Sequence, residues 1–137
     1  MWVFVINLDR DRDRLERMVA EAGRVGISFE RFVAVDGDRL DSDLRDQFFT
    51  GDRPHEVAFT AGEIGCYASH LRIHHLLEAD TTGEYALILE DDVGLAEDLV
   101  PTIEAATSRA PDWDIIRLSN APKTVVLPVA PLCGGRE

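Results

Sequence analysis

Three consecutive carboxylates, Glu90, Asp91 and Asp92, directly follow an apolar run at Tyr85 to Leu89. Adjacent negative charges repel one another unless solvent or a cation screens them. Carboxylate oxygens at the end of a strand suit Mg2+ or Mn2+, and these ions take substrate phosphates as further ligands. We therefore predict a divalent-metal site here. The alternative is that the three acids only solubilise a loop or cap the next helix.

A second candidate group is Cys66, His70 and His74, which recur every four residues. Eight residues of helix rise about 12 Å, so Cys66 and His74 cannot bind the same ion. Only His70 and His74 could share one, and because no third ligand is evident we expect no zinc site. We interpret His70 as a helix residue that is hydrogen-bonded to the acidic loop, or as a donor to substrate.

The elements before these groups form a βαβ pattern. Apolar runs predict strands over 3–7 and 29–35, and the segment between them has helical periodicity and ends near Gly23 and Gly26. The strand–helix–strand order implies parallel pairing with a right-handed crossover. The residues expected on the buried face of the helix are Leu15, Met18, Val19, Ala22 and Val25.

Further elements follow a polar excursion over residues 39–59, which we expect to be partly helical. Thr60 and Glu63 predict a capping box that opens a helix running to about Glu78. We predict an internal strand over 85–89, a helix over 96–108 and a last strand over 113–118. The fold class is therefore α/β, in three layers, with a mainly parallel sheet.

Composition limits the possible partners of the chain. Its 137 residues include 26 acidic and 14 basic side chains, for a formal charge of −12. This charge argues against nucleic acid and anionic lipid as general partners. No apolar stretch approaches the roughly 18 residues that cross a bilayer, and the N-terminal run is too short for a signal peptide. We expect a cytoplasmic protein without a transmembrane segment, whose Cys66 and Cys133 stay reduced.

Four segments, taken together, resemble glycosyltransferase family 25, the lipopolysaccharide-type sugar transferases. They are VINLDR at 5–10 with Arg14 behind it, FVAVDG at 32–37, TAGEIGCYASH at 60–70 and ALILEDD at 86–92. Each segment alone is common. Their order and spacing carry the resemblance, which extends from about residue 2 to residue 118.

The resemblance implies a GT-A-like (Rossmann-like) fold and an inverting, metal-assisted glycosyltransferase. The enzyme would transfer a hexose, galactose or glucose, from a UDP-sugar to a lipopolysaccharide or related glycan. Glu90, Asp91 and Asp92 match the acidic metal motif of the family, with Mn2+ or Mg2+ as the cofactor. Arg10 or Arg14 would place a guanidinium against a phosphate. The alternative is that arginines on an exposed helix face pair with nearby acids. The residues expected on the donor side are Asn7, Asp9, Arg10, Arg14, Asp36, Ser69 and His70.

Family members run well beyond this length, so we expect either a chain truncated on its C-terminal side or a naturally shortened member. Residues 1–120 would form the nucleotide-sugar-binding domain, and the Pro- and Gly-rich residues 121–137 a poorly ordered tail or the start of a missing segment. The catalytic base stays unassigned, and donor binding is better supported than turnover. One alternative is a non-catalytic nucleotide-sugar-binding remnant or assembly partner. Another is a phosphoacceptor domain using Lys123, for which the loop at residues 7–9 supplies too few acids.

Overall fold

The structure, a computed structural model, describes residues 1–40, 59–79, 85–110 and 112–118. The chain divides into two compact units, the first ending at Gly94 and the second beginning at Leu95. The first unit contains, in order, β1 (Trp2–Asn7), α1 (Arg12–Val25), β2 (Glu30–Val33), a 3-10 turn (Gly37–Arg39), α2 (Ala61–Glu78) and β3 (Ala86–Glu90). The second contains α3 (Leu99–Arg109).

β1 is the central strand of a three-stranded parallel sheet with the order β2-β1-β3. Its Phe4 pairs with Glu30 of β2 on one side and with Ile88 of β3 on the other. The predicted βαβ unit is confirmed. The predicted internal position of the strand over 85–89 is wrong, because within the described residues β3 pairs only with β1 and lies at an edge.

Helices flank this sheet. Phe4 and Ile6 of β1 form a buried cluster with Ile73 of α2, so α2 covers the face on which these two residues lie. Val5 alternates to the other face and is also fully buried, and α1 contacts β1. The arrangement is a mixed α/β core that is compatible with the predicted Rossmann-like fold.

The buried face of α1 is narrower than predicted. Met18 and Ala22 are buried, as expected, but Val19 is 58% exposed. Each helical residue is rotated by about 100° from the one before it, so Val19 lies to the side of the face that Met18 occupies. The helix ends at Gly26, whose φ of 74° is left-handed, as the glycines near its end predicted.

The second unit departs from prediction at its end. α3 confirms the predicted helix, but the described residues 112–118 contain no strand, so the strand predicted there is wrong. Ile115 is 75% exposed and Leu118 44%. Apolar residues favour a strand only where a neighbouring strand takes the backbone hydrogen bonds and a core covers the side chains.

Most of the predicted excursion over 39–59 and the whole of 121–137 lie outside the described residues. Across the described ranges, no helix combines the length and the apolar character that a membrane crossing requires.

Candidate functional site

A cleft of about 200 Å3 lies at the carboxyl ends of the strands in the first unit. Open α/β sheets bind ligands at this edge. Most of the predicted site residues line it, namely Asn7, Arg10, Arg14, Asp36, Ser69, Glu90, Asp91 and Asp92. Asp9 and His70 are not among the lining residues. Eight of the ten site residues predicted from the sequence therefore line the same cleft.

Asn7, the last residue of β1, connects several segments at the base of the cleft. Its side chain is buried, and Nδ2 donates to Asp91 Oδ2 at 2.7 Å and to the Asp11 carbonyl at 2.9 Å. Its Oδ1 accepts from Arg31 Nε at 2.9 Å. Both amide protons are thus used within the protein, and Asn7 positions its neighbours.

Arg31 is a site residue that sequence reasoning missed. Its guanidinium also donates to Asp9 Oδ1 at 2.7 Å, so it holds the loop after β1 from the side of β2. A charged residue within a predicted strand is the signal that could have identified it, because a charge that the sheet partly buries needs a partner.

The three acids at the end of β3 differ in their surroundings. Asp91 is buried, and its Oδ1 accepts from Arg14 Nη1 at 3.1 Å in addition to the bond from Asn7. Hydrogen bonding and charge from Asp91 raise the pKa of Arg14. Glu90 and Asp92, on either side of Asp91, are exposed. Asp91 therefore fixes the acidic loop against α1, and its two neighbours offer carboxylates that solvent can reach.

A second ion pair links the loops after β1 and β2. Arg10 Nη1 lies 2.5 Å from Asp36 Oδ2, and the other oxygen of Asp36 accepts from the Asp38 amide at 3.3 Å. The cleft lining as a whole carries six acids (Asp11, Asp36, Asp38, Glu90, Asp91 and Asp92) and two arginines (Arg10 and Arg14). Such an excess of negative charge repels an anionic ligand unless a cation binds with it.

The first turns of α2 form another wall of the cleft. Thr60 and Glu63 form the predicted capping box: the Glu63 amide donates to Thr60 Oγ1 at 3.3 Å and the Thr60 amide to Glu63 Oε2 at 2.8 Å. These bonds lower the pKa of Glu63. Further along, the buried Ser69 hydroxyl accepts from the Val35 amide at 2.8 Å and donates to the Gly65 carbonyl at 2.6 Å. Ser69 therefore ties α2 to the loop after β2.

Cys66 and His70 of α2 meet Glu90 at the end of β3. Cys66 Sγ and His70 Nε2 each lie 3.5 Å from Glu90 Oε1, and the three ligand atoms lie within 4.8 Å of one another. Partial burial, followed by the charge of Glu90, raises the pKa of the Cys66 thiol to about 11. The pairing of His70 with His74 considered from the sequence is therefore replaced by a group of His70 with Cys66 and Glu90, and helix spacing alone does not reveal Glu90 as the third member.

Known proteins resemble the chain over most of its length. The sequence profile described as "Glycosyltransferase family 25 (LPS biosynthesis protein)" matches residues 1–127. A Drosophila melanogaster protein named "Glycosyltransferase 25 family member" is 39% identical over 97 residues, which cover 66% of this chain and 16% of that protein. The Danio rerio "Procollagen galactosyltransferase 1" is 32% identical over 128 residues, covering 86% of this chain and 21% of that protein.

The Homo sapiens "Inactive glycosyltransferase 25 family member 3" is 36% identical over 131 residues, covering 86% of this chain and 21% of that protein. The chain thus spans only about a fifth of the length of these relatives. No solved structure matches it significantly. The match over residues 1–127 contains all four segments on which the sequence resemblance rests, and the chain belongs to glycosyltransferase family 25.

Proposed function

We propose that this chain is the donor-binding part of a hexosyltransferase, and that its cleft holds the diphosphate of a UDP-sugar together with Mn2+ or Mg2+. The observation that carries the proposal is the composition of the cleft, in which exposed carboxylates and two arginines meet at the carboxyl edge of a parallel sheet. The acids alone would repel a nucleoside diphosphate. A divalent cation bound to the acids bridges them to the diphosphate, and guanidinium groups bind its remaining phosphate oxygens.

Asp92 is the principal metal ligand in this proposal, with Glu90 or Asp91 assisting. Their oxygens are the ligands that Mg2+ and Mn2+ prefer, and the exposure of Asp92 and Glu90 leaves room for waters and phosphate. Asp91 already accepts two hydrogen bonds, so its main contribution is to hold the loop in place. A bound ion would stabilise the negative charge that develops on the departing UDP.

The donor side is formed by the loops after β1 and β2. Arg14 is held by Asp91 and Arg10 by Asp36, so both guanidinium groups are positioned near the proposed phosphate site. The loops at Asn7 and Asp36 hold the base and ribose in this arrangement. Asp9, Ser69 and His70 support the same side, with Asp9 placed by Arg31.

The sugar and the acceptor are proposed from the relatives. The name of the Danio rerio relative specifies galactosyl transfer, which supports galactose ahead of glucose. The family description names lipopolysaccharide biosynthesis, which supports a lipopolysaccharide or related glycan acceptor in the cytoplasm. The proposed transfer inverts the anomeric centre. The base that would deprotonate the acceptor is left unassigned.

The second candidate function is a non-catalytic nucleotide-sugar-binding domain or assembly partner. It is favoured by the human relative that is named inactive. Incubation with Mn2+, UDP-galactose or UDP-glucose and a lipo-oligosaccharide acceptor separates the two functions. Transfer of sugar supports the enzyme, whereas UDP binding without transfer supports the binding domain. The absence of both would overturn the proposal.

A further inference from the structure

We propose that Cys66, His70 and Glu90 form a binding site for a thiolate-preferring divalent transition metal, with Zn2+ as the natural ion. This site differs from the Mg2+ or Mn2+ position assigned to Asp92, although Glu90 is available to both, and it binds metal whether or not the cleft transfers a sugar.

The spacing of the three side chains follows from the two elements that carry them. Cys66 and His70 are four residues apart on α2 and so lie on one face of the helix. Glu90 is the last residue of β3, and its carboxylate lies between the sulfur and the imidazole, at 3.5 Å from each. Two elements distant in sequence thus bring three ligands together without any backbone rearrangement.

Two of the three distances between ligand atoms match those around a tetrahedral ion. Zn2+ binds sulfur at about 2.3 Å and nitrogen or oxygen at about 2.0–2.2 Å, so neighbouring ligand atoms in a tetrahedral site lie about 3.3–3.6 Å apart. The two distances from Glu90 fall in this range, and the third pair lies within 4.8 Å. All three residues are partly or fully exposed, so an ion can enter from solution.

The chemistry of the ligands selects the ion. A thiolate and an imidazole favour Zn2+ over Mg2+ or Mn2+, which prefer oxygen. The Cys66 thiol hydrogen-bonds to Glu90 in the structure. Zn2+ would take the place of that proton, which leaves to solvent as the sulfur becomes a thiolate.

Three protein ligands leave the fourth tetrahedral position open. Because Cys66 and Glu90 also line the cleft, an ion bound to them lies at the cleft wall, where its open position is available to a water or a substrate oxygen. Since Glu90 also belongs to the acidic triplet, Zn2+ bound here would compete for one of the carboxylates offered to the hard ion.

Titration of the full chain with Co2+ tests the site, because Co2+ bound to a thiolate gives a charge-transfer absorption band that oxygen and nitrogen ligands do not. We expect this band in the parent protein and in Cys133→Ser, and we expect Cys66→Ser to abolish it. His70→Ala and Glu90→Gln should weaken Co2+ binding by at least about tenfold, since loss of even a supporting partner of a ligand costs this much. His74→Ala, one turn further along the exposed side of α2, is the matched control and should bind like the parent.

Zn2+ should displace Co2+ from the parent, and a large excess of Mg2+ should not. Circular dichroism of each variant checks that it is folded, and Cys66 is exposed, so Cys66→Ser is expected to fold. A thiolate band that persists in Cys66→Ser, or equal losses in His74→Ala and His70→Ala, would overturn the proposal. UDP binding by Cys66→Ser in the presence of Mn2+ is measured in parallel, so failure of this site is distinguished from failure of the donor site.

Discussion

The side-chain amide of Asn7 donates a hydrogen bond of 2.7 Å to the carboxylate of Asp91 and so joins the carboxyl ends of β1 and β3. The strand register extends to this point, because Ile6 pairs with Glu90 in the parallel ladder immediately before it. Both side chains are buried. The acidic loop that we propose to bind metal is therefore fixed to the central strand of the sheet.

Replacement of Asn7 should destabilise the first unit. Asn7→Ala removes the side-chain partner of Asp91 Oδ2 and of Arg31 Nε, and the loss of such a partner costs about 1–3 kcal/mol. Asn7→Asp should cost more at pH 7, because it places a second carboxylate beside Asp91, and its deficit should shrink in acid as one of the pair protonates. Urea unfolding at pH 7 and pH 5 measures the free energy of unfolding of both variants. As a control, replacement of the exposed Glu16 by Ala should change stability by less than about 0.5 kcal/mol. An Asn7→Asp variant as stable as the parent would contradict the role of Asn7 in holding the acidic loop to β1.

Glycine is required at residue 65 because α2 approaches the loop after β2 there. A Cβ on Gly65 would lie 2.5 Å from the Val35 carbonyl oxygen, whereas a Cβ on Gly62, one turn earlier, would meet nothing closer than 3.9 Å. Gly65→Ala should therefore destabilise by about 1–3 kcal/mol. Gly62→Ala should be neutral or stabilise by up to about 1 kcal/mol through helix propensity. Thermal melts of Gly65→Ala and Gly62→Ala measure the two effects. Equal effects would show that α2 does not lie close to the loop after β2 at residue 65.

The capping box predicts a pH dependence of stability. The pKa of Glu63 is lowered below its ordinary value of 4.5 by the hydrogen bonds from Thr60. A lowered folded-state pKa stabilises the protein above the unfolded-state value, and this stabilisation is lost as the pH falls through the folded value. In Glu63→Gln the side chain is neutral and does not change its protonation between pH 3 and pH 7. The difference in free energy of unfolding between parent and Glu63→Gln should therefore shrink from pH 7 to pH 3, and a constant difference would contradict the assignment.

Local patterns in the sequence predicted the elements well. The apolar run before Asn7, the periodicity of α1 and the Thr60–Glu63 spacing each identify an element that the structure contains. These features depend on residues within one or two turns of each other, so the sequence displays them directly. The convergence of eight candidate residues on the cleft follows from the same reasoning, since parallel strands bring their carboxyl ends to one edge.

Features that depend on contacts between distant segments were not predictable in the same way. The strand over 85–89 is a continuous apolar run, but its apolarity does not reveal that β1 takes the central position. The partnership of Arg31 with Asn7 spans 24 residues, and that of Cys66 with Glu90 also spans 24. Apolar residues recur over 113–118 and predicted a strand, yet the described residues 112–118 contain none. In each of these instances the tertiary contact determines the outcome.

The central claim is that the acids at the end of β3 bind a divalent ion through which the cleft holds a nucleoside diphosphate. Calorimetric titration of UDP in zinc-free buffer, with Mn2+ and then with excess chelator, tests it most directly. We predict that chelator abolishes UDP binding and that Asp92→Ala weakens it by at least about tenfold, while the exposed Glu97→Ala binds like the parent. UDP binding that persists in chelator, or equal losses in the two variants, would contradict the claim and leave the exposed Glu90 and Asp92 as solubilising charges.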